Sequence, residues 1–429
     1  MAEKLIIKNF AGIKELELEV KRINILIGPQ ASGKSVCAKL LYYFKNFVWE
    51  ILSTVENEQT KRNLDLNYSK TFEEYFPPES WGTHNFSLRY EIANIFIEVS
   101  RKKDSKEPRI LLNYSDLLKK ELRDLRSLVK KTKEKMSGEA EYDTFDAYKG
   151  KRALRNRLVS SISSNLCKEA VFTQLFIPAG RSFFANLQSN IFSFLSNNNA
   201  LDPFLRAFGS TYEIIKTLRF KSINRLEEGK NTKKVQDEIV CLIEKSLCAK
   251  HVHEKGKDFL EVADGRRIGI THSSSGQQEV LPLTVILAAL PFLESRGSGQ
   301  TVYIEEPEAH LFPNAQRSVI ELIATVFNCR KEKLQFFITT HSPYVLTSIN
   351  NLLQAGLIYQ DVAQDVLSQL EKIVPRYKAL NTADLSAYLL ENGRGKSIVC
   401  PDTGLIDAKA IDSVSDDLAI EFDDLLNLA

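Results

Sequence analysis

The sequence predicts an α/β fold: a largely parallel, covered sheet with a short helical arm set into it. Three features carry that expectation. Past residue 278, strand and helix patterns alternate regularly, as they do when helices cross over between parallel strands. Near the N-terminus an apolar strand runs straight into a glycine-rich loop and then a helix. Between Ser115 and Ser164 the chain becomes rich in Leu, Lys, Arg and Glu.

In chain order, "EKLIIKNFAGIKELELEVKRINILIG" alternates apolar and polar residues and then turns continuously apolar. It reads as two or three strands, the last of them buried. "SVCAKLLYYFKNFVWEILSTVEN" has helical periodicity, and "FSLRYEIANIFIEVSRK" and "RILLNYS" read as strands joined by a charged turn. The arm is "SDLLKKELRDLRSLVKKTKEKM", a break at "SGEAEYDTFDAYKG", then "KRALRNRLVSSISSNL": a helix, a connection and a helix running back. "VFTQLFIPAGR" returns to strand, with helices following through about Ala249. "DFLEVADGRRIGITH" is a hairpin turning on Asp264-Gly265. Then come a helix over 278–295, the strand "TVYIEE", a helix over 314–329, the strand "LQFFITT" and a helix over 343–354. The expected divisions are an N-terminal lobe over 1–110, the arm over 111–170, a C-terminal lobe over 171–360 and an extension over 361–429.

Composition narrows the function classes. With 429 residues, 43% hydrophobic and 26% charged, the chain can bury a large core and has an ordinary soluble balance. "MAEKLIIKNF" carries charges where a secretory signal needs an apolar stretch, and "VLPLTVILAALPFL" is too short and proline-broken to span a bilayer. A cytoplasmic protein without a membrane partner is expected. Six cysteines (37, 167, 241, 248, 329, 400) show neither C-x-x-C pairing nor a zinc-ligand grouping, which fits reduced thiols. The net charge of +2 hides an uneven spread. Arg101 to Lys168 holds 19 basic and 10 acidic residues, whereas Asp402 to the end holds eight acidic residues and one lysine. Two separate partner surfaces are expected. The basic arm reads either as a solvated face or as a contact for DNA phosphates; few aromatics interleave with it, so base stacking is not expected.

The chemistry begins at "GPQASGKS", Gly28-Pro29-Gln30-Ala31-Ser32-Gly33-Lys34-Ser35. It fits G-x-x-x-x-G-K-[ST] in full and lies between an apolar strand and a helix, as a phosphate loop requires. The glycines let backbone N–H groups wrap an anion at a helix N-terminus. Lys34 is assigned to the β/γ-phosphates of ATP and the Ser35 hydroxyl to Mg²⁺. "TVYIEEPEAHLFP" ends a strand in two carboxylates. Glu305 is assigned to Mg²⁺, and Glu306 to general base or water positioning. "FFITTHSPYVL" delivers His341 to the C-terminal end of another strand, where ligands of parallel sheets bind; it is read as a γ-phosphate sensor. "THSSSGQQEV" places small polar residues ahead of a helix, a second anion cradle. A second cradle has a use if it closes over the nucleotide of a partner subunit.

That order of motifs resembles the ABC-type ATPase heads of the SMC/RecF group, and most of all their OLD-like branch, which includes ATPase subunits of anti-phage systems of the Septu type. The wording "LIIKNF…INILIGP..SGKS" and "IEEPEAHL" is recurrent there. Against the L-S-G-G-Q signature, Ser273 takes the leucine position, Ser274 the serine, Ser275 and Gly276 the glycines, and Gln277 the glutamine. The resemblance implies that Ser274 and Gly276 contact the γ-phosphate held by the other protomer. It also implies an ATP-sandwiched homodimer or higher oligomer. Departures are Gln30 in place of asparagine, Glu305 in place of aspartate, and no clear Q-loop. "IPAGR" stands where that loop belongs, so Arg181 is either a nucleotide or Mg²⁺-linked sensor or a structural arginine. Glu308 and Ala309 fall where a D-loop would lie.

Several features are set aside. "GRGKS" at 393–397 echoes a phosphate loop, but position 390 is Leu where glycine is needed. His251 and His253 lack nearby ligand companions and read as part of a solvated strand or loop. OLD nucleases carry a Toprim domain after the switch histidine; only 88 residues follow His341, without a Glu plus Asp-x-Asp grouping. "SDDLAIEFDDLLNLA" resembles an acidic amphipathic helix instead. The expected function is an ATPase that cuts nothing itself, a subunit of a bacterial anti-phage complex with a separate effector, expected to be a nuclease. The alternatives are a RecF/SMC-like DNA-repair ATPase and a non-hydrolysing ATP-gated scaffold.

Overall fold

The N-terminal alternation folds as a hairpin. β1 (Glu3–Phe10) and β2 (Ile13–Val20) pair antiparallel, burying Leu5, Ile7, Leu16 and Leu18 on one face. β3 (Ile23–Ile27) is buried at every position, as a strand covered on both faces must be. The structure, a computed structural model, describes residues 3–82, 84–101, 110–136, 144–186, 201–222, 230–254, 256–293, 297–361, 363–407 and 413–426.

β4 (Phe86–Ile92), β5 (Ile95–Arg101) and β6 (Ile110–Tyr114) continue antiparallel outward from β1. β7 (Thr173–Ile177), β11 (Gln300–Glu305) and β12 (Leu334–Thr340) run parallel with β3. β8 (Lys250–Glu254), β9 (Lys257–Glu261) and β10 (Arg267–Gly269) form a separate small sheet. Its β9–β10 turn is the expected one, with Gly265 at φ +85. β13 (Leu385–Glu391) and β14 (Arg394–Ser397) close the set. Among the described residues one sheet holds eleven strands, in the order β6-β5-β4-β1-β2-β14-β13-β3-β12-β11-β7. Five of them, β13-β3-β12-β11-β7, are parallel.

The sheet is therefore mixed, not largely parallel. Strand–helix alternation is a property of the second half of the chain; the first half turns back on itself through short hairpins, which force antiparallel pairing. The late pair β13–β14 lies inside the sheet, between β3 and β2. It contains the "GRGKS" echo, and its turn, Asn392-Gly393, has both residues at positive φ, the geometry of a two-residue hairpin.

Each face of the sheet has its own apolar core. Ile23, Ile25 and Ile27 of β3 enter one, with the helices Ser275–Ala289, Pro313–Cys329 and Pro343–Ile358. Leu26 enters the other, with α1 (Lys34–Lys45), α2 (Phe47–Glu56) and α3 (Lys61–Tyr75). The single helix expected over 35–57 is thus two, parted at Asn46, and α3 is additional. α4 (Asp116–Met136) and α5 (Thr144–Asn165) form the arm. Ser161 and Asn165, late in α5, donate to the Glu121 carboxylate, early in α4, at 3.1 and 3.0 Å. The two helices run antiparallel; half of the expected break, residues 137–143, lies outside the described residues, and the other half, from Thr144, is already α5.

Candidate nucleotide site

Gly28 to Ser35 crosses from β3 to α1. Gly33 precedes α1 in a left-handed conformation, and no side chain caps the helix. Its first-turn N–H groups are therefore left for an anion. The loop is held from outside as well. A Cβ on Gly33 would meet Ile13 Cδ1 at 2.8 Å. Ile13 in turn lines a cleft of about 570 Å³ with Trp81 and His84. The sequence reading did not single out Ile13, which packs against Gly33 of the loop.

Lys34 is buried and folds back along its own loop. Its Nζ donates to the Gly28 and Pro29 carbonyls, each at 2.8 Å, and to Ser32 Oγ at 3.3 Å. Burial lowers the pKa of this ammonium, against the charges of Glu306 and Glu308, which raise it. Nζ also lies 3.5 Å from His341 Nδ1. The other face of that ring, Nε2, lies 3.4 Å from Glu306 Oε1. Lysine, histidine and glutamate from three separate motifs thus form one line across the C-terminal ends of β3, β12 and β11.

The two neighbouring carboxylates of β11 have different surroundings. Glu305 is buried; its Oε2 accepts from the Ala179 N–H at 3.2 Å, and its Oε1 has no partner among the described residues. The Glu306 side chain is 39% exposed, open enough to meet water, and its backbone sits at φ +44, a strained region for a non-glycine residue. Glu308 Oε1 accepts from Thr340 Oγ1 and from the His341 backbone N–H, both at 2.7 Å. The residue expected in a D-loop therefore fixes the strand end that carries the histidine.

Ser273 to Gln277 lies at the N-terminus of the helix Ser275–Ala289, which begins and ends earlier than the helix expected over 278–295. Ser274 is its N-cap, in a capping box: Ser274 Oγ accepts from the Gln277 N–H, and Gln277 Oε1 accepts from the Ser274 N–H at 3.1 Å. Ser274 and Ser275 are exposed, while Gly276 is buried against the loop after β11; a Cβ there would lie 2.5 Å from the His310 carbonyl oxygen. Among the described residues no hydrogen bond joins this segment to the Gly28–Ser35 loop. Arg181 is fully buried, and its guanidinium donates to backbone carbonyls, including those of Glu305 and Glu306. The guanidinium is thus taken up by the protein's own backbone, which speaks against the sensor alternative. His251 and His253 are not solvated either: both contact Asp258 Oδ1, at 2.9 and 2.7 Å, on β8 and β9.

The family described as AAA ATPase domain matches residues 1–346. The chain belongs to that family. The retron Vc95 probable ATPase of Vibrio cholerae serotype O1 biovar El Tor is 29% identical over 100 residues, 22% of this chain and 19% of that protein. The matched stretch thus spans about a fifth of that curated relative. Among solved structures, an Smc head bound to the C-winged helix domain of ScpA aligns at 12% identity and a TM-score of 0.41, over 92% of this chain and 96% of that one. The recombination mediator protein RecF aligns at 12% identity and a TM-score of 0.34, over 93% and 98%.

For this AAA ATPase domain a divalent cation can be tested against the residues. A buried carboxylate oxygen without a partner is expensive unless a proton, water or cation meets it, and Glu305 Oε1 is in that position. Magnesium takes one or two protein oxygens and completes its shell with substrate phosphates and water. Glu305 supplies one such oxygen; Ser35 is exposed in the first turn of α1, and no cluster of three His, Cys, Asp or Glu ligands stands ready among the described residues. No helix among them is long and apolar enough to cross a membrane.

Proposed function

We propose that this AAA ATPase domain hydrolyses ATP in a site shared between two copies of itself, as the ATPase subunit of a bacterial anti-phage complex. The observation that carries the catalytic half is the line from Lys34 through His341 to Glu306. Lys34 and the N–H groups of residues 28–35 bind the β- and γ-phosphates, with the adenine placed toward the cleft beside Ile13. His341 contacts the γ-phosphate. Glu306 orients a water for in-line attack and accepts its proton. The Ser35 hydroxyl and Glu305 would hold magnesium, which would supply charge neutralisation of the phosphates.

Ser274 and Ser275 face outward at a helix N-terminus, so they suit the γ-phosphate of a facing copy. The reading places the chain with SMC/RecF-type heads of the OLD-like branch. Closure on ATP and opening on hydrolysis make a two-state switch. The defence assignment draws on the likeness to a retron ATPase. In it the switch scaffolds or restrains a separate effector, a nuclease in the preferred version. The acidic helix Ser413–Leu426, with Ile420, Phe422, Leu425 and Leu426 exposed, is its docking element.

A DNA-repair ATPase without an effector is the second reading, favoured by the excess of basic residues in the arm. A tagged Glu306→Gln protein recovered from its host with ATP and Mg²⁺ separates the two. A stoichiometric second protein with nuclease chemistry supports the defence complex. An ATP-dependent homodimer holding DNA alone supports repair.

A further inference from the structure

Arg181 makes more of its bonds across elements than along its own. Its backbone N–H donates to Glu279 Oε2 at 2.9 Å, and its Nε donates to the Glu279 carbonyl at 3.2 Å. Nη1 donates to the carbonyls of Pro178 and Glu305, at 2.9 and 2.6 Å, and Nη2 to that of Glu306 at 3.0 Å. Four of the five side-chain N–H groups an arginine carries are thus committed to the protein's own backbone. Glu279 lies one turn into the helix that begins at Ser275, and both it and Arg181 are buried.

The bond to the Glu306 carbonyl has a particular effect. Glu306 is held at φ +44, with its N–H on the Thr339 carbonyl at 2.9 Å. With the N–H held by Thr339, and the carbonyl by Arg181 and by the Ala309 N–H at 3.1 Å, the left-handed conformation is fixed at both ends, and with it the direction of the side chain toward His341. The helix and the same loop also meet at Gly276 and His310, where there is no room for a single Cβ. A shift of the helix N-terminus therefore cannot leave the Glu305–His310 segment in place.

We propose that Arg181 is a positioning residue that locks the helix bearing Ser274–Gly276 to the catalytic end of β11. Engagement of a partner's nucleotide by that helix then sets the geometry of Glu306 in the same protomer. Each copy hydrolyses its own ATP only once it has gripped the other's. This inference rests on the shared-site reading and deepens it. It predicts cooperative turnover, because each active site is completed only when the partner's nucleotide is engaged.

The test compares wild type with Arg181→Lys, which keeps the charge but loses the planar fork, and with Glu279→Gln. Each is measured for thermal unfolding, for affinity toward a fluorescent ATP analogue in dilute protein, and for hydrolysis against ATP concentration. The expected Arg181→Lys protein folds, binds nucleotide like wild type, loses kcat and hydrolyses without cooperativity. A folded variant with unchanged kcat and unchanged cooperativity overturns the proposal. So does a uniform loss of binding, turnover and melting temperature, the signature of a purely structural arginine. If Arg181→Lys does not fold, Glu279→Gln is decisive: lost cooperativity supports the coupling and retained cooperativity overturns it. A wild type that binds ATP without turning it over contradicts the ATPase reading instead. The coupling is then read from ATP-dependent dimer mass, and an Arg181→Lys protein that dimerises like wild type overturns it.

Discussion

Gly28 and Leu390 are packed so closely that a Cβ on Gly28 would lie 2.1 Å from the Leu390 carbonyl oxygen. The contact joins the first residue of the phosphate loop to β13, and a backbone oxygen in a central strand has little room to yield. Gly28→Ala is expected to destabilise the fold by about 1–3 kcal/mol, as overpacking does, and to weaken ATP binding with it. Urea unfolding and a nucleotide titration on the same preparation check both; a variant unchanged in either would mean β13 gives way.

Lys34→Ala removes the ammonium that the loop carbonyls hold in place. Charged hydrogen bonds of this kind are worth about 1.5–3 kcal/mol, so ATP affinity is expected to fall about 10- to 100-fold. Calorimetric titration measures it directly, and wild-type affinity in a folded variant would remove Lys34 from the site.

Glu306→Gln keeps the size of the side chain and removes its basicity. ATP binding is expected to persist while turnover drops about 10²- to 10⁴-fold, with a closed dimer accumulating in native mass spectra. Glu305→Gln run alongside is expected to lose magnesium dependence first. The reverse pattern would exchange the two roles.

That the candidate site residues come together could be anticipated because each is fixed by local sequence: a strand, a turn and a helix in the case of Gly28–Ser35, and a strand end for Glu305, Glu306 and His341. What was not legible is what holds them from a distance. Ile13 presses on Gly33, Leu390 on Gly28, and Glu308 on the His341 backbone. No periodicity carries contacts that join residues 20, 33 or 362 positions apart. One signal was available: Asn392-Gly393 is a strong two-residue hairpin turn, and it marks β13–β14 as strands where "GRGKS" invited comparison with a phosphate loop. The mixed character of the sheet was equally available in the short turns between the first strands.

Ser275→Arg tests the outward-facing half of the site without removing the Ser274 cap. Ser275 is exposed at the first position of its helix. Nucleotide binding by the separate subunit is expected to stay, while ATP-dependent dimerisation and hydrolysis are lost. Hydrolysis at the wild-type rate would show that the helix N-terminus meets no partner nucleotide.

Asp258 predicts the acid behaviour of the small sheet. Burial pushes its carboxyl pKa up, but hydrogen bonds from His251, Lys216 and His253 outweigh this and hold it well below the ordinary range. A carboxylate depressed in this way stabilises the folded state above its unfolded pKa of about 3.9, and the contribution is lost as pH falls through the folded value. Asp258→Asn is therefore expected to cost roughly 3–5 kcal/mol near neutral pH, as breaking a buried ion pair does, with the gap to wild type narrowing below about pH 4. Denaturant midpoints measured across pH check the sign; a gap that widens in acid would contradict it.

The position of β13 beside β3 also bears on how the protein is made. The phosphate loop is complete in sequence at Ser35, but the strand that floors it begins at Leu385, some 350 residues later. At about 5–20 residues per second, a ribosome needs roughly 20–70 s to cover that distance. Until then β3 has a bare apolar edge, a site for mispairing, and Gly28 has nothing to rest against. A chain broken off before that strand would carry every residue of the phosphate loop yet lack the pocket they form. On the proposed reading, nucleotide binding would then report that translation has passed β13.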